Sequence, residues 1–155
     1  MICGLEALVK IEAVKMEREE RLRKEAEERE RERKEYTIDY CEKILNAKIQ
    51  EMIREGTNSS SPIVMRGGWC GSTTCLSPMK ETREAYVDKR LSYEYEGYCF
   101  NGTRYGNLCL DRPILEEYLK SYCWEINLKP FSGYKKYEGE IILYKLTISP
   151  MPKCI

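Results

Sequence analysis

The stretch from Met16 to Glu35 constrains this chain more than any other, because almost every residue in it is charged. After Met16, its only uncharged residues are Leu22 and Ala26. An acidic residue stands four positions before a basic one in six pairs: Glu17/Arg21, Glu19/Arg23, Glu20/Lys24, Glu25/Arg29, Glu27/Arg31 and Glu30/Lys34. This order is favourable on a helix and contributes about 0.2–0.5 kcal/mol per pair. The stretch therefore predicts a helix that stays solvated and buries almost nothing.

The charge pattern divides the chain into two parts. We expect residues 1–35 to form a charged helical rod and residues 36–155 to form a separate α+β domain. Met1 to Met16 adds apolar side chains at helical spacing. We interpret them as a docking tip, a self-association seam or a frayed terminus that touches the domain. A coiled coil needs apolar a and d positions over at least three or four heptads. The charged stretch lacks them, so a single helix is favoured and a homodimer is the alternative.

Helical periodicity continues past the charged stretch. From Tyr36 to Glu55, apolar residues recur mostly at spacings of three and four, which predicts a helix that packs on the core. Gly56 is a natural end for it. Whether the helix is continuous through Tyr36 is left open by the sequence. Residues 57–80 contain Gly, Ser and Pro and are expected to be mostly loop, with Ile63 to Met65 as a candidate short strand.

The remaining sequence predicts strands and one short helix. Ala85 to Tyr95 alternates like a half-buried strand, and Asn101-Gly102 predicts a tight hairpin turn. Asp111 is expected to cap a helix that extends to Lys120, with Pro113 in its first turn. Strands at 122–128 and 140–148 are expected to pair antiparallel, with a loop between them. The prediction is an antiparallel α+β fold, with the amphipathic half of the long helix against the sheet.

The composition excludes several kinds of function. The chain has no histidine, which rules out Ser-His-Asp and Cys-His catalysis. The Gly67-Gly68 turn lacks the Gly-Lys-Ser/Thr ending of a phosphate loop. The formal charge is zero, from 26 basic and 26 acidic residues, so no general phosphate-binding surface is indicated. With no catalytic set visible, we expect a protein that is not an enzyme.

The eight cysteines allow three interpretations: free thiols, a zinc site or disulfides. The N-terminus does not read as a signal peptide, and no segment approaches the roughly 20 apolar residues that span a bilayer. We therefore expect a cytoplasmic protein with reduced, mostly buried thiols and no membrane partner. The first alternative is an all-thiolate zinc site, although its spacing is looser than usual. Disulfides are the second. The zinc ligands would be Cys70, Cys75, Cys99 and Cys109.

Binding residues are expected among arginines and aromatics. The chain has 12 tyrosines against two phenylalanines, and tyrosine is enriched at protein interfaces. The predicted loop from Lys129 to Tyr137 mixes basic and aromatic residues, with Lys135 and Lys136 between Tyr134 and Tyr137, which also fits single-stranded nucleic acid. The candidate partner-binding residues are Arg18, Arg21, Arg23, Arg29, Arg31, Arg33, Trp69, Tyr93, Tyr95, Tyr134, Lys135, Lys136 and Tyr137.

In general style, the chain resembles small accessory proteins of Firmicutes phages and mobile elements, including anti-CRISPR inhibitors. The resemblance rests on the Glu/Arg helix of residues 17–35, the Tyr- and Cys-rich part after it, and the absence of a catalytic set. It implies a non-enzymatic inhibitor in the host cytoplasm that blocks a Cas nuclease by steric occlusion or by locking its domains. The partner would be a protein or a protein–RNA complex. The neutral charge departs from the acidic DNA-mimic inhibitors. The alternative function is a nucleic-acid-binding or structural zinc-binding module.

Overall fold

A computed structural model describes residues 1–68, 72–82, 92–95, 99–100, 103–104, 109–136 and 139–153. These residues form a long N-terminal helix, an antiparallel sheet and one short helix, which confirms the α+β class predicted from the sequence. The chain divides into two compact units, Met1–Glu32 and Arg33–Ile155.

The N-terminal helix is continuous and contains one π-helical turn. Helix α1 (Gly4–Tyr40) leads into a π-helical turn (Cys41–Leu45), and helix α2 (Asn46–Glu55) follows directly. The helix ends at Gly56 as predicted. Its φ of +67° is a left-handed conformation that glycine adopts without steric cost. The amide N–H of Thr57 then donates to the Met52 carbonyl oxygen at 3.1 Å.

The π-turn brings two sets of buried side chains to the same side of the helix. At about 100° per residue, Tyr36 and Tyr40 would lie about 150° away from Leu45 and Met52 on a regular α-helix. In the π-turn, the Asn46 N–H donates to the Cys41 carbonyl, so one extra residue is inserted into the turn. This changes the relative angle by roughly 100°. All four side chains are buried in one core as a result.

The sequence prediction of this helix face was partly wrong for the same reason. Regular 3.6-residue spacing predicts that Ile53 faces the core, but its side chain is 67% exposed. It also missed Tyr36 and Tyr40, which are 3% and 1% exposed. A π-turn shifts the helical phase without leaving a clear mark on residue type, so a single 3.6-residue period does not fit both halves of the helix.

The strands form an antiparallel sheet in the order β3-β2-β1-β8-β7, with β6 paired to β2. A separate pair, β4 with β5, places Phe100 opposite Thr103, which is the pairing that the Asn-Gly signal predicted, although Asn101 and Gly102 themselves lie outside the described residues. Short helix α3 (Arg112–Ser121) follows β6. The strands are β1 (Ile63–Arg66), β2 (Cys75–Thr82), β3 (Ser92–Tyr95), β4 (Cys99–Phe100), β5 (Thr103–Arg104), β6 (Leu110–Asp111), β7 (Trp124–Lys136) and β8 (Gly139–Pro150).

Several predicted elements are confirmed. Strand β1 is present, and β7 and β8 pair antiparallel along most of their length. The Asp111 side chain caps α3 by accepting from the Ile114 N–H at 3.3 Å, with Pro113 in the first turn. The expected strand at 85–95 is described only over Ser92–Tyr95, because 83–91 lies outside the described residues.

Two predicted loops were wrong in part. Residues 57–80 were expected to be mostly loop, but β2 begins at Cys75 and places Pro78 opposite Met65. Residues 129–136 were also expected to be loop, but they continue β7 alongside β8, with an irregularity between Pro130 and Ser132. Turn-forming residues gave the wrong signal in both places. A neighbouring strand supplies the backbone hydrogen bonds there and overrides local preference.

The core lies where the helix meets the sheet and α3. Its buried side chains come from α1, the π-turn and α2, from four strands and from α3. Trp124, Ile126 and Leu128 of β7 are partly buried against it. The core residues with no exposed surface are Leu45, Met65, Leu76, Leu110, Leu115, Leu146 and Ile148.

Thr37 joins the helix to the start of α3. Its side chain is completely buried. The hydroxyl donates to the Arg33 carbonyl at 2.8 Å and accepts from the Asp111 N–H at 3.0 Å. Thr37 therefore satisfies a backbone group of the residue that caps α3 and fixes α1 against it. The sequence left open whether Thr37 begins a new helix; it lies inside α1.

A disulfide links the start of β2 to the residue just before β6. Cys75 and Cys109 are bonded, with Cα atoms 5.6 Å apart and a sequence separation of 34 residues. Cys123 is also disulfide-bonded. The expectation of free thiols is therefore wrong at these three positions. A cysteine looks the same in the sequence whether its thiol is free or disulfide-bonded. Only the tertiary pairing of β2 with β6 brings Cys75 and Cys109 together.

We expect Thr37→Val to lower the free energy of unfolding by about 1–3 kcal/mol. The substitution keeps the side-chain shape but leaves the part-buried Asp111 N–H without its acceptor, beside a Thr37 side chain that is completely buried. Thr57→Val, at an exposed position, is the matched control and should change stability by less than about 0.5 kcal/mol. Denaturant unfolding measures both variants, and equal stability of the two would contradict this role for Thr37.

Replacing both Cys75 and Cys109 by alanine should lower the free energy of unfolding by about 4 kcal/mol. The bond restricts the unfolded chain across its 34-residue separation, and this loss of restriction accounts for the effect. The measurement is denaturant unfolding without reductant. Cys3→Ala, at an exposed free thiol, is the control and should leave stability unchanged.

Candidate functional site

The predicted binding arginines lie along α1, mostly in ion pairs with glutamates of the same helix. Arg23 contacts Glu27 at 3.3 Å, and the predicted Glu20/Lys24 and Glu25/Arg29 pairs are present at 3.5 and 3.9 Å. Arg21 and Arg31 pair with Glu25 and Glu28. These side chains are more than half exposed, so each pair contributes little to stability. Arg18 is exposed in the first unit, and Arg33 is exposed in the second.

The predicted aromatic site residues are not brought together along the sheet. Tyr93 and Tyr95 belong to β3, at one end of the strand order, whereas Tyr134, Lys135 and Lys136 belong to β7, at the other end. Three strands separate them in hydrogen-bonding order. Trp69 and Tyr137 lie outside the described residues.

The predicted zinc ligands do not form a thiolate site in this structure. Cys75 and Cys109 are bonded to each other, so neither sulfur is a thiolate that a metal could bind. Cys70 and the side chain of Cys99 lie outside the described part of the chain. Among the described residues, no group of three or more His, Cys, Asp or Glu side chains has metal-binding geometry.

A groove in the second unit is a candidate site. It lies between the π-turn and α2 on one side and α3 with the start of β7 on the other, and its volume is about 330 Å³. The floor is apolar, and the rim is aromatic and polar. Its lining residues are Cys41, Glu42, Asn46, Ile49, Tyr118, Leu119, Tyr122 and Trp124.

The π-turn forms one wall of this groove. π-helical turns inside α-helices are rare and occur frequently at functional sites. Here the turn contributes Cys41 to the floor and Glu42 to the rim. Cys41 is 3% exposed, whereas Glu42 is exposed. The same distortion that aligns the core therefore also places a carboxylate at the edge of an apolar groove.

Tyrosines of α3 and the residue just after it form the opposite wall. The Tyr118 hydroxyl donates to Glu42 Oε1 at 3.2 Å. Its ring centroid lies 5.3 Å from that of Tyr122, and the two ring planes are tilted by 51°. Desolvation and the Glu42 carboxylate raise the pKa of Tyr118 to about 12. Tyr118 is therefore protonated at neutral pH and acts as a donor, while Tyr122 is 64% exposed.

Cys41 is unsuited to nucleophilic chemistry. Burial, followed by the nearby Glu42 charge, raises the pKa of its thiol from 9.0 to about 12. The thiolate is the reactive form of cysteine, and its population is negligible at neutral pH when the pKa is this high. Cys41 is a free cysteine that serves as an apolar floor residue.

Sequence reasoning missed this groove almost entirely. The spacing of Cys41, Ile49, Tyr118 and Leu119 predicts only that they face the core, and no sequence pattern marks Glu42 or Asn46. The alternation after Tyr122 places Trp124 only on a strand face. The residues come from two segments that are far apart in sequence, 41–49 and 118–124, and only tertiary packing and the π-turn bring them together.

We expect the stability of the protein to fall with rising pH partly through Cys41. Its pKa is higher in the folded state than the ordinary value of 9.0, so the folded state holds this proton more tightly. The resulting stabilisation is complete below pH 9.0 and is lost as the pH rises toward about 12. The stability gap between the wild type and Cys41→Ala should therefore narrow from about pH 8 to about pH 10.5. Cys3→Ala should show no such change, and a constant gap for Cys41→Ala would contradict the assignment.

Two further findings bear on function. None of the helices in the described part of the chain combines the length and hydrophobicity needed to cross a bilayer. Comparisons of the chain with protein-family models, with curated proteins and with solved structures found no match.

Proposed function

We propose that this protein acts by binding another protein and that its N-terminal helix supplies the main contact surface. The observation that carries the proposal is the exposure of apolar side chains along the start of α1. Leu5, Val9 and Met16 are 74%, 71% and 68% exposed. We call these three residues the apolar stripe. Their spacing of four and seven positions places them on the same side of the helix.

The first unit buries none of its large apolar side chains. The buried residues of α1 are Tyr36, Thr37 and Tyr40, and all three belong to the second unit. Exposed large apolar side chains concentrated in one segment fit a protein-interaction site. The other exposed large apolar residues of the first unit are Met1, Ile2, Leu8, Ile11, Val14 and Leu22.

The ion pairs that follow the stripe favour a binding role as well. They hold the helix in water before a partner is present, and each is weak enough to exchange for a pair across an interface. The predicted arginines of α1 would then contribute to orientation and specificity. The apolar stripe would contribute most of the affinity.

The disulfides bear on where such a protein works. Disulfides persist in oxidising compartments and are rare in the cytosol. The Cys75–Cys109 bond therefore favours a setting outside a reducing cytoplasm, in contrast to the cytoplasmic location expected from the sequence. Inhibition of a Cas nuclease, the narrower function expected from the sequence, would instead place the protein in a host cytoplasm, so a Cas effector complex is included among the partners tested to decide between the two settings.

The test is a capture experiment with full-length protein and two matched triple variants. The partner is first identified by affinity capture from nuclease-treated lysate, with and without added Cas effectors, and its stoichiometry is measured by light scattering. Replacing Leu5, Val9 and Met16 by serine should weaken binding by about tenfold or more. The control replaces Glu6, Lys10 and Glu17 by serine. Each of these residues directly follows one residue of the apolar stripe, and this variant should bind like wild type.

The outcomes separate the alternatives. A stoichiometric complex that only the apolar-stripe variant loses supports the proposal. Equal binding by both variants contradicts it. If only self-associated protein is recovered, the binding partner is a second copy of this chain. Material lost on nuclease treatment supports nucleic-acid binding instead.

A further inference from the structure

The groove at the π-turn combines aromatic rings with a carboxylate. Tyr118, Tyr122 and Trp124 line it together with Glu42, and none of its lining residues in the described part of the chain is basic. Aromatic faces attract cations through their negative quadrupole, and a nearby carboxylate adds direct charge attraction. This set differs in chemistry from the apolar stripe of the first unit.

Glu42, in the π-turn, has no basic residue at the spacing at which acidic residues of α1 form ion pairs. The residues three and four positions from it are Ile38, Asp39, Leu45 and Asn46, and none is basic. By contrast, the neighbouring Asp39 already pairs with Lys43 at 3.0 Å. The described hydrogen bond to Glu42 comes from the neutral hydroxyl of Tyr118, which orients the carboxylate without neutralising it.

The groove also has room for an aliphatic stem. Leu119 and Cys41 form a floor that is 3% exposed at both positions, and Ile49 is partly buried beside them. Long basic side chains lay their methylene groups along such surfaces and keep the charged head at the polar edge. An entirely apolar occupant would instead remove water from Glu42 and Asn46 without replacing its hydrogen bonds.

We propose that this groove receives the basic side chain, lysine or arginine, of a partner polypeptide. Its volume of about 330 Å³ lies at the small end of the roughly 300–1,000 Å³ that small-molecule sites occupy, which suits one side chain. The stem would lie over Leu119 and Cys41, and the charged head would lie between the tyrosine rings and Glu42. This inference rests on the proposed function in one respect: both require the binding partner to be a protein.

The test uses short peptides and the full-length protein. The probes are acetylated and amidated pentapeptides with four glycines around a central lysine, arginine or norleucine. Norleucine keeps the aliphatic stem and removes the charge. NMR follows the indole N–H of Trp124, which is assigned by Trp124→Phe. We expect saturable shifts with the lysine or arginine peptide and none with the norleucine peptide at equal concentration.

Two variants localise the effect. Glu42→Gln should weaken peptide binding by roughly two- to fivefold, because it removes the charge while keeping the side-chain size. Tyr122→Leu should weaken it by a similar factor, because it removes an exposed ring. Glu55→Gln, at an exposed position of α2 outside the groove, is the matched control and should bind like wild type.

The remaining outcomes overturn the inference. Equal shifts with the norleucine peptide would assign the groove to apolar ligands. Choline that binds more tightly than both basic peptides, while its neutral isostere 3,3-dimethylbutanol does not bind, would assign it to a small quaternary ammonium group. Absence of any shift would reject the site. A Glu42→Gln protein that still captures its partner through the apolar stripe would leave the proposed function intact, so the two can fail separately.

Discussion

The π-turn at Cys41–Leu45 is the distortion on which the second unit depends. A regular helix would direct Tyr36 and Tyr40 away from the core that Leu45 and Met52 occupy. Insertion of one residue into a single turn allows one continuous helix to bury both pairs. A π-turn has less favourable backbone geometry than an α-helical turn, and burial of two tyrosines against the sheet and α3 offsets this cost.

The connection between this helix and the rest of the unit depends on a few satisfied polar groups. Thr37 accepts from the backbone of Asp111, whose own side chain caps α3. Ser60 makes a similar link on the other side of the core, because its hydroxyl accepts from the Ile148 N–H at 2.9 Å. Both side chains are buried, and both join a helical segment or its following loop to a distant element. Apolar burial stabilises the core, and these hydrogen bonds fix how its layers align.

The two candidate surfaces differ in chemistry. The apolar stripe of the first unit offers area without polar groups, and its neighbouring arginines and glutamates are balanced within the helix. The groove of the second unit offers aromatic rings, a carboxylate and a small apolar floor. The first suits affinity for a protein surface, and the second suits selection of one basic side chain. A binding protein that uses both would combine broad contact with a specific anchor.

Local sequence signals determined the parts of this protein that depend on local interactions. The charged helix, its end at Gly56, the Asp111 cap and the Asn-Gly hairpin follow from side-chain spacing and backbone preference, because each involves residues only a few positions apart. The tertiary structure alone decided the helical phase at the π-turn, the extension of β2 and β7 through residues that favour turns, and the Cys75–Cys109 bond. It also created the groove, whose residues come from segments about 70 positions apart in the chain. Such features depend on which distant elements supply hydrogen bonds and buried surface, and that information is not contained in any short stretch of sequence.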